Sequence, residues 1–167
     1  MPAGLDGIEL PRGGRCLDVA CGLGEQSLWA AEHGFDVIAL DASVTAIAAL
    51  RAAAVVAGVA GRIEARVVDL DGGLPPDVGG TCAMVICQRF RDVCLYPALV
   101  DALVPGGVLV ITVLSQVGAA AAGPYHAPPG DLTDGFADLP VDVLLAGEGG
   151  GEATLVARRR RGVRHAG

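Results

Sequence analysis

The sequence contains no lysine and no asparagine, so arginine supplies all twelve of its permanently basic side chains. The lack of lysine excludes a Schiff-base lysine, a lysine general base and the lysine of a nucleotide-binding P-loop. Cysteine occurs five times but never in a Cys-x-x-Cys pair, so no metal site is expected. The odd number of cysteines, and an N-terminus without an apolar core of signal-peptide length, predict a cytoplasmic protein.

Charge is also sparse, since charged residues make up 19% of the 167 residues and the net charge is -7. A negative surface does not attract nucleic acid non-specifically, so we expect no nucleic-acid partner. We expect no membrane partner either, because every long apolar run is interrupted by glycine, proline or charge. The hydrophobic fraction of 52% instead predicts one domain with a substantial core.

The chain is organised as one domain, predicted over residues 15–158, between an N-terminal arm (1–14) and a basic tail (159–167). The basic run from Arg158 to Arg161, followed by Arg164, is typical of a frayed, solvated tail. A docking site for an anionic partner is the alternative interpretation of this run.

Short apolar runs alternate with helical stretches along the chain. Seven strands are predicted, at residues 15–20, 36–41, 63–68, 82–87, 108–114, 141–146 and 153–158. Four helices are predicted, at residues 25–33, 43–57, 93–103 and 131–137. The alternation indicates an α/β fold with a doubly wound, mostly parallel seven-stranded sheet, and the last two strands, with no helix between them, should form an antiparallel C-terminal hairpin. Such sheets bind ligands outside the carboxyl ends of their strands, where the strand order reverses.

A glycine turn follows the first predicted strand, in the segment CLDVACGLG at residues 16–24. Its pattern, Gly22-x-Gly24-x-x-Ser27, lacks the third glycine of the dinucleotide-binding fingerprint. Two ligands suit a turn in this place. One is a dinucleotide, with its pyrophosphate on the helix N-terminus, and the other is S-adenosylmethionine, with a zwitterionic methionine end and a positive sulfonium. Gly22 and Gly24 would let the backbone approach either ligand without a Cβ in the way.

Three acids favour the second ligand, because Asp18, Asp41 and Asp69 stand at the ends of the first three predicted strands. Such a row would repel a pyrophosphate in a partly buried cleft. Asp18 can accept from the methionine ammonium, directly or through water. Asp41 can accept from both ribose hydroxyls, and Asp69 from the adenine amine. For each acid taken alone, capping of the following helix is an equal alternative.

The segment LDVACGLGEQSLWAAEHGFDVIALDAS resembles motif I and the second strand of the class I S-adenosylmethionine-dependent methyltransferases. VVDLD resembles their third acidic motif, and LVPGGVLVITVL resembles their strand before the substrate loop. Within that family the chain is similar to the small tellurite-resistance-like branch. The resemblance implies a Rossmann-like fold, S-adenosylmethionine as cofactor and methyl transfer as activity. The implied cofactor-binding residues are Asp18, Cys21, Gly22, Leu23, Gly24, Asp41, Ala42, Asp69, Leu70 and Gln88.

The methyl acceptor is expected beyond the fourth strand, where the sequence reads CQRFRD. The segment has neither the asparagine nor the proline of the Asx-Pro-Pro turn that holds amine acceptors. Arg89, Phe90 and Arg91, together with Tyr125, are the candidate substrate-binding residues, and they suit an anionic or planar small molecule. The alternative for Arg89 and Arg91 is an ion pair with Asp92 or another surface acid.

His126 is the candidate general base, with its neighbour Tyr125 as a second catalytic candidate. A loop histidine without a catalytic role is the alternative, and a thiol or oxyanion acceptor would need no base. The arm before the first strand and the loop at 115–130 are short for a lid, so we expect an open site or one closed by a partner subunit in a homodimer. Two other functions stay open, a methyltransferase-like binding or scaffold protein without turnover and, less favoured, an NAD-dependent oxidoreductase.

Overall fold

Seven strands and four helices alternate along residues 7–162, the part of the chain that the computed structural model describes. The strands are β1 (Gly14–Val19), β2 (Phe35–Asp41), β3 (Ile63–Val67), β4 (Cys82–Gln88), β5 (Leu103–Leu114), β6 (Val141–Gly149) and β7 (Glu152–Arg159). The helices are α1 (Glu25–Glu32), α2 (Val44–Val56), α3 (Tyr96–Ala102) and α4 (Asp131–Phe136).

The strands form one seven-stranded sheet in the order β3-β2-β1-β4-β5-β7-β6. The first five strands in this order are parallel, and β7 lies antiparallel between β5 and β6. The predicted doubly wound α/β fold with an antiparallel C-terminal hairpin is therefore confirmed.

Helices cover both faces of the sheet, and alternate residues of each strand point to one face or the other. On one face, Ala30 of α1 and Ile47 and Leu50 of α2 are buried against the strands. On the other face, Tyr96 of α3 and Phe136 of α4 stack with their ring centroids 4.7 Å apart. β4 and β5 lie between these two layers, which explains why their sequences have no polar face.

Short local signals set the ends of the helices. Ser43 caps α2, because its hydroxyl oxygen accepts a hydrogen bond from the amide of Ala46 at 3.2 Å. Gly34 and Gly58 follow α1 and α2 with positive φ angles, a conformation that favours glycine. No helix within residues 7–162 is long and apolar enough to cross a membrane.

The strand order reverses between β1 and β4, and both strands end in strained backbone. Ala20 follows β1 with φ 54°, and Arg89 follows β4 with φ 58°. They are the two non-glycine residues with positive φ between residues 7 and 162. Strain of this kind concentrates at functional sites, so the backbone itself points to this edge of the sheet.

Two expectations need correction. The helix predicted at 93–103 is a 3-10 turn (Val93–Leu95) followed by α3, and β5 begins earlier than predicted because Leu103 pairs with Cys82 across a register shift.

The basic run also needs correction, because Arg158, Arg159 and Arg160 are not part of a solvated tail. Arg158 and Arg159 lie in β7, and Arg159 donates to the carbonyl oxygens of Asp101 and Leu103. Arg160 pairs with the carboxylate of Asp142 at 3.0 Å. These guanidinium groups hold β7 against its surroundings, whereas Arg164 lies outside the described residues.

Candidate functional site

The glycine turn joins β1 to α1 through backbone that few residues adopt. Gly22 and Gly24 have φ angles of 54° and 82°. A Cβ on Gly24 would lie 2.2 Å from Cδ1 of Leu50, so this glycine is required for the turn to pack on α2. A Cβ on Gly22 would meet no described atom within 4 Å, so the backbone at Gly22 borders open space.

Asp18 lies at the end of β1 and is 2% exposed. Its Oδ2 accepts a hydrogen bond from the hydroxyl of Ser27 at 2.5 Å, and Ser27 is itself fully buried in α1. Burial raises the pKa of Asp18 to about 7, and the hydrogen bonds from Ser27 oppose that rise. The role of Ser27 was missed in the sequence, although Ser27 stands where the fingerprint would have its third glycine.

Asp41 ties the glycine turn to the start of α2. Its Oδ2 accepts from the amide of Gly22 at 2.8 Å, and its Oδ1 accepts from the amide of Ser43 at 2.8 Å. Asp69, which is exposed, accepts from the amide of Asp71 at 3.1 Å. Asp69 therefore caps the 3-10 turn that follows it (Leu70–Gly72), as the capping alternative described, whereas Asp41 joins two loops and the cap of α2 is Ser43. Each carboxylate oxygen has a second lone pair, so these bonds leave room for a ligand donor.

The other predicted cofactor residues fall into two groups. Leu23 is 72% exposed and Ala42 is also exposed, so both reach solvent beside the turn. Leu70 is buried, and Gln88 is half-buried with its Nε2 donating to the carbonyl of Cys87 at 3.3 Å. Cys21 is half-buried, and burial raises the pKa of its thiol to about 12, which makes it a neutral wall of the turn.

The residues at this edge fit S-adenosylmethionine on two observations. The space beside Gly22 is open, and two carboxylates that interact with each other, Asp18 in β1 and Asp41 at the end of β2, lie next to this turn, with Asp41 bonded to the Gly22 amide. In the first turn of α1, Oε1 of Gln26 is the one buried side-chain polar atom of the described residues without a hydrogen-bond partner. A ligand that carries an ammonium and hydroxyl donors matches this set of acceptors, whereas a pyrophosphate does not.

A second opening lies beyond β4 and β5. Its volume is about 450 Å³, and the residues around it are Arg89, Phe90, Arg91, Leu114, Pro124 and Tyr125. We call it the acceptor cavity. All four candidate substrate-binding residues line it, so the structure brings them together from two separate segments of the chain.

The two arginines of the acceptor cavity are already paired with acids. Nη2 of Arg89 lies 2.7 Å from Oε1 of Glu152 in β7. Nη2 of Arg91 lies 2.5 Å from Oδ1 of Asp131, and Oδ2 of the same carboxylate accepts from the hydroxyl of Tyr96 at 3.0 Å. These bonds hold the pKa of Asp131 below its ordinary value. The ion-pair alternative therefore describes both arginines, although neither partner is the neighbouring Asp92.

His126 lies beside the acceptor cavity and lines an adjoining open cleft of about 620 Å³ that shares Arg89 and Leu114 with it. Its Nδ1 accepts a hydrogen bond from the amide of Gly123 at 2.9 Å. This bond places the imidazole proton on Nε2, so the nitrogen that could take up a proton is occupied by the backbone.

The loop between β5 and α4 is fastened at both ends by one carboxylate, which the sequence did not reveal. Oε1 of Glu148 accepts from the hydroxyl of Ser115 at 2.5 Å, and Oε2 accepts from the amide of Gly130 at 3.0 Å. The loop that carries Tyr125 is thus held at both of its ends by Glu148.

A family model described as "Methyltransferase domain" matches residues 16–107, more than half of the chain. A curated relative, ribosomal RNA small subunit methyltransferase C of Alcanivorax borkumensis, is 31% identical over 115 residues, which cover 63% of this chain and 34% of the relative. The chain thus spans about a third of that relative's length.

Solved structures agree on the fold. An S-adenosylmethionine dependent methyltransferase from Mesorhizobium loti is 22% identical with a TM-score of 0.74, over 93% of this chain and 100% of that chain. TehB from Haemophilus influenzae is 17% identical with a TM-score of 0.72, over 93% of this chain and 60% of that chain. Because this family model matches more than half of the chain, including the glycine turn and the segments that carry Asp18, Asp41 and Asp69, the chain belongs to the methyltransferase domain family.

Proposed function

We propose that this chain is an S-adenosylmethionine-dependent methyltransferase and that it acts on a small molecule held in the acceptor cavity. The observation that carries the proposal is the position of this cavity, which begins at Arg89, the residue after β4, and thus adjoins the switch point next to β1. A volume of about 450 Å³ suits a small ligand.

In this proposal the cofactor residues keep the roles that the sequence suggested. Asp18 faces the methionine ammonium, Asp41 the ribose hydroxyls and Asp69 the adenine amine. Cys21, Gly22, Leu23 and Gly24 border the ligand from the turn, and Ala42, Leu70 and Gln88 border it from the neighbouring strand ends. The bound cofactor supplies an electrophilic methyl group, and the task of the protein residues is to align the acceptor and exclude water.

The acceptor that these residues favour is apolar and needs no protein base. Phe90 and Tyr125 offer flat apolar surfaces, while the charges of Arg89 and Arg91 are balanced by acids. The proton-accepting nitrogen of His126 is already bonded. A thiol, which ionises at a lower pH than a hydroxyl, fits these conditions better than an alcohol or a catechol. The likeness to TehB supports a place in the small tellurite-resistance-like branch.

RNA is the second candidate acceptor, because the curated relative carries a ribosomal RNA methyltransferase name. The net charge of -7 opposes it, since RNA binding depends on basic surface.

A two-part experiment tests the proposal. Calorimetric titration with S-adenosylhomocysteine should show binding. Incubation with S-adenosylmethionine labelled in its methyl group should then label small aryl and alkyl thiols in preference to the matched phenols and alcohols, and leave ribosomal RNA fragments unlabelled. Labelled RNA without labelled small molecules would overturn the small-molecule assignment. Cofactor binding with no labelled acceptor would favour the scaffold alternative.

His126 and Tyr125 are the proposed catalytic residues for a hydroxyl acceptor, which needs a base, whereas a thiol acceptor would not use them. An unaltered pH–rate profile in His126→Ala would remove His126 as the base.

A further inference from the structure

The pair formed by Ser27 and Asp18 stands out because it is polar and yet shut away from water. Ser27 is fully buried, Asp18 is 2% exposed, and the two side chains are joined by a hydrogen bond of 2.5 Å between Oγ and Oδ2. The pair thus connects the end of β1 with the first turn of α1 and spans the glycine turn between them.

No positively charged group within residues 7–162 balances a negative charge on the Asp18 carboxyl. From each element packed against the carboxyl, the titratable groups that interact with it are Asp41 at the end of β2, Cys16 in β1, Cys21 in the turn and Cys87 in β4. These are an acid and three thiols, so none supplies a positive charge. Burial, with Asp41 as a smaller cause, raises the pKa of Asp18 to about 7, so the carboxyl carries its proton through the mildly acidic range.

We propose that Ser27 positions the Asp18 carboxylate for the cationic end of the cofactor and that cofactor binding expels the proton from this buried carboxyl group. The inference rests on the proposed role of Asp18 in binding the methionine ammonium. The exchange is balanced, since one ammonium arrives beside the carboxyl while one proton leaves to solvent. The Asp18 carboxyl therefore becomes part of an ion pair only when the ligand is present, which avoids an unbalanced buried charge at Asp18 in the empty enzyme.

Ser27 acts on this exchange through its hydrogen bonds. A hydroxyl that donates to a carboxylate stabilises the ionised form, so Ser27 makes the proton easier to expel. Removal of the hydroxyl should therefore raise the pH at which the cofactor binds well. A merely structural serine would change the stability of the fold without moving that pH.

The experiment is calorimetric titration with S-adenosylhomocysteine between about pH 5.5 and pH 8, in two buffers with different heats of ionisation. The wild type should bind more tightly as the pH rises, by up to about tenfold per pH unit below pH 7, and then level off. Below pH 7 the difference between the buffers should correspond to about one proton released per ligand bound.

Three variants show which residues cause the pH dependence of S-adenosylhomocysteine binding. Asp18→Asn should bind weakly, with the same affinity at each pH and no proton release. Ser27→Ala should bind as tightly as the wild type only at a higher pH. Ser43→Ala, which removes a helix cap away from the pair, should keep the wild-type pH dependence.

The outcomes separate this inference from the proposed function. An affinity that is equal at pH 6 and pH 8, with no buffer dependence in the wild type, overturns the proton exchange even if a variant fails to fold. An unmoved pH dependence in folded Ser27→Ala overturns the role of Ser27. No binding of S-adenosylhomocysteine at any pH would instead remove the proposed function itself.

Discussion

Ala20 occupies a backbone conformation that ordinarily belongs to glycine, with φ 54° at the start of the turn. An alanine in this region costs about 1 kcal/mol relative to glycine. We therefore expect Ala20→Gly to raise the free energy of unfolding by about 0.5–1 kcal/mol, measured by urea denaturation. The control is Ala30→Gly in α1, which should lose about 1 kcal/mol or more because it removes helix propensity and buried contacts. A destabilised Ala20→Gly would show that the methyl group packs usefully enough to outweigh the strain.

Asp41 has two local hydrogen bonds, so its role in ligand binding needs a direct test. Asp41→Ala should weaken the binding of S-adenosylhomocysteine by about 10- to 100-fold in calorimetry, because a charged acceptor for the ribose hydroxyls is lost. Asp36→Ala is the matched control, since Asp36 lies at the opposite end of the same strand in an exposed pair with Arg62. An unchanged dissociation constant in folded Asp41→Ala would mean that Asp41 only holds the turn.

The ionisation of Asp18 also predicts how stability depends on pH. The folded pKa of about 7 lies above the unfolded value of 3.8, so the folded state prefers the protonated form. The protonated Asp18 therefore stabilises the folded state fully below about pH 4, and this stabilisation is lost as the pH rises through 7. The free energy of unfolding should fall by roughly 4 kcal/mol in all. Asp18→Asn, which has no proton to lose, should be more stable than the wild type at pH 8 and show no such gain at pH 4. Denaturant titrations of both proteins at pH 4 and pH 8 measure these free energies of unfolding. An Asp18→Asn variant that is less stable than the wild type at both pH values would contradict the raised pKa of Asp18.

Among the elements, the loop at 115–130 depends on Glu148, whose two oxygens fasten Ser115 and Gly130. Glu148→Ala should loosen this loop and leave the sheet intact. Chymotrypsin cleaves after aromatic residues, and Tyr125 in this loop is 81% exposed. Cleavage after Tyr125 should become about tenfold faster, because the loss of the two hydrogen bonds should make opening of the loop about 1.4 kcal/mol easier.

The control for the loop is Glu64→Ala, which removes a carboxylate from an exposed pair with Arg66 and should leave the cleavage rate unchanged. Equal cleavage of Glu148→Ala and the wild type would show that the β5–β7 contacts hold the loop without the carboxylate.

The elements that the sequence predicted well are those determined by nearby residues. The apolar runs of β4 and β5 and the cap at Ser43 each depend on neighbours within a few positions. The pairs of Arg91 with Asp131 and Arg89 with Glu152 join residues 40 and 63 positions apart, so no local pattern indicates them. The same holds for Ser27 and Asp18, whose contact exists only once the turn has folded. The sequence could therefore indicate a candidate site, which stays a prediction, but not the bonds that set its charges.

For the whole molecule, the strand order places the three acids proposed to bind the cofactor and the proposed acceptor-binding residues in two different halves of the sheet. The three acids lie at or just beyond the carboxyl ends of β1, β2 and β3, whereas β4 and β5 end at the acceptor cavity. Variants in the two halves should therefore have separable effects. Asp69→Ala should weaken S-adenosylhomocysteine binding by about 3- to 10-fold, since an exposed acceptor contributes about 1 kcal/mol. Tyr125→Ala should leave that affinity within about twofold and lower methyl transfer to the labelled acceptor, because an exposed side chain of the cavity is lost while every strand end with an acid is kept. If Tyr125→Ala weakened cofactor binding as much as Asp69→Ala, the cavity would belong to the cofactor, and the acceptor would have to enter elsewhere.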